Sequence, residues 1–167
     1  MRIYVRKYKW YRDLFFQSHV LFDKSIQEIM FDNKRKVFEY FKPGKFFVKY
    51  VVIREINGKK DKIAIVAFAR GKRKEDFWIA GFVPTAMQNK GLGIYSGIAG
   101  LNELFKIKPS CTAFSASYSH NTRAVRATTS MGFHINVQDD KHFESSLTRE
   151  QFDNDFVRQI KKRCNIE

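Results

Sequence analysis

Two runs rich in Val, Ile, Phe and Tyr, residues 46–56 and 62–69, are separated by an Asn57-Gly58 pair. Gly58 supplies the positive φ that a tight hairpin turn needs, so the two runs must fold back on each other as antiparallel strands. Gly71-Lys72-Arg73-Lys74 makes a second turn, and residues 76–83 return as a third strand. An antiparallel meander is therefore the fixed centre of the fold, and whatever precedes or follows must cover its faces. A length of 167 residues is one domain's worth, 1–167, and a chain of this size buries roughly two-thirds of its surface without disulfides or metals.

The flanks read in a definite order. Residues 2–7 alternate as a short opening strand, and residues 10–16 form a short helix. Asp23 is placed to cap a longer helix in which Ile26, Ile29, Met30, Val37 and Phe41 recur near helical spacing, stopped by Lys42-Pro43-Gly44. After the meander, a glycine-bearing loop (residues 88–93) opens a helix with Ile94, Ile98, Leu101, Leu104 and Phe105 on one face. Residues 112–118 form a strand, and Asn121 caps a helix carrying Ala124, Val125, Thr128 and Met131 that Gly132 terminates. Phe133, Ile135 and Val137 alternate with polar residues as a further strand. Thr148-Arg149-Glu150-Gln151 is a capping box for a last helix over 148–163, on which Phe152, Phe156 and Ile160 align. The expected class is α+β (mixed α/β): an antiparallel meander followed by a β-α-β-α-β unit, in a mixed sheet flanked by helices.

Charge narrows the function. Lys plus Arg number 31 against 17 Asp plus Glu, a formal balance of +14. Such a field favours an anionic partner and disfavours a polycationic small molecule. Cys111 and Cys164 are too few for a disulfide framework, and no C-x-x-C pair is present to hold zinc. The opening residues are broken by charge, unlike a signal peptide, and no apolar run reaches the ~18 residues of a membrane span. The expectation is a soluble, cytoplasmic protein with no metal.

The chemistry concentrates in Gln88-Asn89-Lys90-Gly91-Leu92-Gly93, where a strand ending at Phe82-Val83 turns into a helix. The first amides of a helix lack internal acceptors and lie at the positive end of its dipole, which suits an anion. Gly91 and Gly93 let a diphosphate approach those amides, and Lys90 adds positive charge. The bland alternative is a strand-to-helix turn that uses glycine for geometry alone. The loop is neither a G-x-x-x-x-G-K-[ST] nor a G-x-G-x-x-G motif.

Gln88-x-x-Gly91-x-Gly93 after a strand ending at Val83 resembles the acetyl-coenzyme A motif of the GNAT N-acetyltransferase superfamily. Asn121-Thr122-Arg123-Ala124 followed by Gly132-Phe133 is similar to that superfamily's N-x-x-A…G-F segment, in order and separation. The resemblance implies a sheet splayed open between the strand ending at Val83 and strand 112–118. Coenzyme A would enter that notch, its pantetheine arm pairing near Phe82 and Val83. Its pyrophosphate would rest on Gln88, Asn89, Lys90, Gly91, Leu92, Gly93 and Ile94, with Asn121 near the thioester end. The implied reaction is direct attack of a neutral amine on the thioester, with a backbone N–H beside Val83 as donor to the developing oxyanion.

The resemblance also exposes a departure. Thr128 stands where the superfamily commonly has a tyrosine as general acid, and a threonine hydroxyl is a poor proton donor. Tyr118 and His120 are the candidates for proton transfer, with packing and a solvent-facing helix start as their structural alternatives. Trp10, Tyr11, Phe15 and Phe16 are candidates to line the acceptor pocket, with core packing as the alternative. The final helix is free to cover a sheet edge or to pair subunits into a homodimer. The acceptor expected from the charge balance is a small anionic amine, such as a nucleotide-linked amino sugar, or next a protein or peptide amine. Two rival readings are a basic nucleic-acid-associated protein, for which no binding signature is present, and a coenzyme A-binding protein without catalysis.

Overall fold

The computed structural model describes residues 1–30, 34–42 and 44–166. Pro43, and the side chains of Ile29 and Met30 in the second expected helix, lie outside the described residues. The chain opens with β1 (Arg2–Lys7), α1 (Trp10–Leu21), α2 (Lys24–Met30) and a 3-10 segment Lys34–Phe41. The meander follows as β2 (Val48–Ile56), β3 (Lys59–Arg70) and β4 (Asp76–Phe82). Then come α3 (Leu92–Ile107), β5 (Thr112–Tyr118), α4 (Thr122–Ser130), β6 (His134–Gln138), β7 (His142–Leu147), α5 (Arg149–Phe152) and α6 (Asp155–Cys164).

All seven strands join one sheet in the order β1-β2-β3-β4-β5-β7-β6. The β2–β3 turn places Asn57 and Gly58 at φ of 50° and 77°, the left-handed pair that a two-residue hairpin requires. β4 and β5 run parallel through the α3 crossover; every other pairing is antiparallel. Their ladder is short, matching only Asp76, Phe77 and Trp78 with Thr112, Ala113 and Phe114. Beyond that point the two strands part, which gives the expected mixed, splayed sheet.

Alternation sorts the sheet's side chains onto two faces. Val52, Val66, Phe68 and Phe77 meet Ile98, Leu101 and Leu104 of α3 in the main core. Phe82 on the opposite face packs with Val20, Leu21, Ile26 and Val37 in a smaller cluster under the N-terminal helices. α1 is further fixed by Asp13, whose fully buried carboxylate receives Arg6 of β1 at 2.7 Å and Lys62 of β3 at 2.9 Å. Burial works against that charge, yet the bonds from Arg6, from the Lys9 amide and from Lys62 hold the carboxyl well below the usual range. Lys49 lies on the same side, donating to Gln17 Oε1 at 3.1 Å and to the Tyr40 carbonyl at 2.9 Å. Burial pulls its ammonium down to about 8.

Several expectations change in detail. The first helix continues past Phe16 to Leu21. The single helix expected over 148–163 is two: the Thr148 capping box forms, but α5 ends at Phe152 and Asn154 caps a new helix through the Val157 amide. The break turns Phe156 outward, while Phe152, Val157, Ile160 and Cys164 enter the main core. The C-terminal helix therefore completes the core against α3 and does not shield a sheet edge. β7 was not expected at all. It slots between β5 and β6, so among the described residues β6 is an edge strand that pairs with β7 alone.

α3 lies close on the sheet at one glycine and close on the end of α4 at another, because neither has a Cβ. A Cβ at Gly100 would stand 2.6 Å from Val66 Cγ1, and one at Gly97 2.7 Å from Met131 Sδ. Gly100→Ala gains roughly 1 kcal/mol of helix propensity but over-packs a filled interface, a cost of about 1–3 kcal/mol. Urea unfolding is expected to show a net loss of stability in Gly100→Ala.

Candidate active site

Where β4 and β5 diverge, the sheet acquires an internal edge along residues 79–81 of β4, faced across the gap by residues 115–117 of β5. A cavity of about 460 Å³ occupies this notch. One end is formed by the loop before α3 and by α4; the other reaches Ile26 and Tyr40 of the N-terminal layer. Strand backbone without a ladder partner is an attachment line for an extended ligand.

The start of α3 closes the first end. Asn89 and Gly91 both adopt left-handed backbone, with φ of 61° and 72°, and this reverses the chain between β4 and the helix. A side chain at Gly91 would be strained by that φ and would press on the Tyr95 ring at 3.4 Å. No side chain caps α3, and the first amide to reach a helical acceptor is that of Tyr95, donating to the Gly91 carbonyl at 3.2 Å. The preceding amides have no intrahelical acceptor and stand at the positive end of the dipole. Gly93 lines the cavity, and nothing lies within 4 Å of where its Cβ would stand. That cradle fits a diphosphate against backbone. Ser96, one turn on, adds a buried Oγ with no protein partner beside the same cavity.

Gln88 ties this loop to its surroundings. Its Nε2 donates to the Val83 carbonyl at 3.2 Å, and its Oε1 accepts from Arg123 Nη1 at 3.1 Å. Strand end, loop and α4 are thus joined through one carboxamide. Arg123 is the one charged side chain among the described residues lining the cavity. It sits in the N-x-x-A segment, where only the asparagine and alanine carry the motif, so its part was not visible from spacing. Asn121 also lines the cavity; its Oδ1 accepts from the Ala124 amide at 3.2 Å, which leaves Nδ2 for a ligand.

Of the residues singled out in the sequence, Phe82, Val83, Gln88, Asn89, Gly91, Gly93, Ile94 and Asn121 all line the notch. Lys90 and Leu92 do not. Lys90 Nζ folds back onto the Ala86 carbonyl at 3.1 Å, and Leu92 points into the main core. Tyr118, the last residue of β5, and His120 just after it stack face to face with centroids 5.3 Å apart, outside the cavity lining. Thr128 is buried and does line it, beside Ala127 and Met131. Trp10, Tyr11 and Phe15 neither line the cavity nor enter the core; they project from α1 into solvent. The aromatic that does arrive is Tyr40, its ring edge-on to Phe82 at 5.1 Å. Tyr40 comes from the 3-10 segment that precedes the whole meander, and no local pattern in the sequence connects it with Phe82.

The whole architecture matches solved structures. Spermidine N-acetyltransferase from Vibrio cholerae, solved with CoA and spermine, superposes with a TM-score of 0.72 at 14% identity, over 92% of this chain and 99% of that one. A GNAT-family acetyltransferase from Bacillus anthracis gives 0.70 at 15% identity, over 90% and 96%. Ribosomal-protein-S5-alanine acetyltransferase from Vibrio fischeri gives 0.68 at 12% identity, over 92% and 97%. No family model matches the sequence, and no curated protein matches it. The fold is that of the GNAT acetyltransferases.

Because Gln88 ties the start of the loop to both Val83 and Arg123, Gln88→Ala is expected to cost about 1 kcal/mol of stability. Hydrogen exchange read by mass spectrometry should show faster exchange across residues 89–93, with the β2–β3 hairpin unchanged.

Proposed function

We propose that the protein is an acetyl-coenzyme A-dependent N-acetyltransferase that acts on a small, anionic primary amine. The observation that carries this reading is the start of α3: uncapped amides and an open Gly93 cradle at one end of a notch between parted strands. A diphosphate suits those amides, and Arg123, held over the loop by Gln88, adds a cation beside them. The edge along residues 79–81 offers backbone donors and acceptors to an amide-containing arm such as pantetheine. The solved relatives in fold include enzymes whose structures hold CoA, which agrees with this assignment.

The cofactor supplies an activated acetyl thioester; the protein supplies position and environment. Ile26, Tyr40 and Phe82 wall the end of the cavity nearest the N-terminal helices, where an acceptor amine would be held. Its nitrogen attacks the thioester carbonyl, the carbon–sulfur bond breaks, and the thiolate departs. A β4 backbone amide beside Val83 is the donor to the developing oxyanion. The ammonium proton must leave, and among the described residues no His, Asp or Glu lines the cavity. Water at the mouth is then the carrier; Tyr40 lines the cavity but burial raises its hydroxyl above the ordinary value, and Tyr118 and His120 are sequence neighbours of the lining residues Ser117 and Asn121. The notch residues argue against a polycationic acceptor: spermine, bound by the Vibrio cholerae enzyme, calls for carboxylates, and among the described residues no Asp or Glu lines the cavity. The net balance of +14 draws both anionic substrates toward the protein.

Gly93→Val adds bulk to open space at a position without φ strain, so it separates binding from folding. Calorimetric titration is expected to show micromolar binding of acetyl-coenzyme A to the wild type. In Gly93→Val that binding should weaken at least about tenfold, a loss of ~1.4 kcal/mol, with the melting temperature little changed. Equal binding by both proteins would remove the reading.

Thr128→Val and His120→Ala test proton transfer. With water as carrier, each is expected to hold kcat within about threefold of the wild type, measured by thiol release. A loss of about 100-fold in either would make that side chain a proton-transfer group.

A further inference from the structure

The outer side of α1 carries a ridge that the active-site reading does not use. Phe15 is 87% exposed, Trp10 70% and Tyr11 68%, with Leu14 beside them. At 100° per residue, positions 10, 11, 14 and 15 fall within an arc of about 140°, so the four side chains share one face of a helix about 18 Å long. Phe22 at the C-terminal cap continues the line and meets exposed Phe38 edge-on at 5.7 Å. Isolated apolar residues on a surface need no explanation, but a contiguous aromatic ridge marks a contact surface.

The charges around the ridge identify its partner. Lys9 and Arg12 border it, are exposed, and have no ion pair among the described residues. The acids of these elements are engaged elsewhere. Asp13 is buried beneath Arg6 and Lys62, Glu28 pairs with Lys24 at 3.9 Å, Glu39 pairs with Lys45, and Asp23 bonds the Ile26 amide at 3.4 Å. The exposed face is therefore aromatic at its centre and cationic at its border. Trp and Tyr have an apolar ring and a polar tip, which suits the headgroup boundary of a bilayer, and flanking Lys and Arg bind anionic headgroups.

We propose that α1 is a peripheral docking helix that lays Trp10, Tyr11, Phe15 and Phe22 into the surface of an anionic lipid bilayer. No span is involved: no described helix is long and apolar enough to cross a membrane. The ridge runs into the layer that bounds the cavity, because Phe22 stacks on Phe41, and the neighbouring Tyr40 lines the notch. Docking would hold that end of the cavity close to the headgroups. The inference is independent of acetyl transfer and is tested without it.

The full chain carries two tryptophans, Trp10 and Trp78. In a Trp78→Phe background the emission reports Trp10 alone. Vesicles of phosphatidylcholine containing about one-third phosphatidylglycerol are expected to shift that emission to the blue and to float the protein, an effect that fades as salt rises. Pure phosphatidylcholine should bind at least about tenfold more weakly. Trp10→Ser/Phe15→Ser and Lys9→Glu/Arg12→Glu should each lose flotation while keeping the wild-type circular dichroism and melting temperature, since the altered side chains are exposed. Equal binding to both vesicle types, or undiminished binding by Trp10→Ser/Phe15→Ser, overturns the proposal. So does a dimer, seen by light scattering, that Trp10→Ser/Phe15→Ser dissociates, because the ridge then belongs to a second copy. A single-stranded oligonucleotide that quenches Trp10 where anionic vesicles give no shift overturns it in favour of nucleic acid.

Discussion

The parallel contact between β4 and β5 holds for three residue pairs and then fails, and the site follows from that failure. A sheet that stayed zipped would consume the backbone groups of residues 79–81 and leave no room between the strands. What keeps the strands apart is the packing on either side. Phe82 turns toward Tyr40 and the N-terminal layer, while β5 is drawn to β7 along its whole length. α3 crosses behind the gap at a height fixed by Gly100 against Val66, with Gly97 against Met131 at the end of α4, and so brings its uncapped first turn to the end of the notch. Strand divergence, helix height and amide orientation are thus one geometric solution, not three separate features.

The N-terminal layer has to be fastened for the other end of the cavity to exist. Its apolar cluster is small, and Asp13 supplies the complement: one buried carboxylate reaching both β1 and β3. Removing a single partner from such a junction is costly because it strands charge away from water. Lys49, which pairs with no carboxylate among the described residues, makes a weaker version of the same link through Gln17 and the Tyr40 carbonyl.

What the sequence disclosed was what neighbours in the chain decide among themselves. Asn57-Gly58 dictates its hairpin, Asn121 and Thr148 announce their helices, and the strands at residues 2–7 and 112–118 fall where alternation puts them. The glycine loop was readable for the same reason, since the geometry at Gly91 and Gly93 is a property of the loop itself. Decisions made across the fold were hidden. His142–Leu147 is short and half polar, and only its neighbours β5 and β6 make it a strand. Phe152, Phe156 and Ile160 keep helical spacing through a real break, because Asn154 begins a second cap inside an unbroken apolar rhythm. Tyr40, Ser96 and Arg123 reach the notch from three different elements. The aromatic residues of α1 look like core by composition, and only the direction of the helix reveals them as surface.

The placement of β7 also bears on how the chain matures on the ribosome. β6 is made before β7 yet has no other strand to pair with, and β5 cannot fill its outer edge until residue 147 has emerged. Until then the nascent domain would carry a finished meander beside an open half-sheet, the kind of intermediate whose bare strand edge invites chaperone capture. Closure of that half waits for β7, the strand that joins β5 to β6.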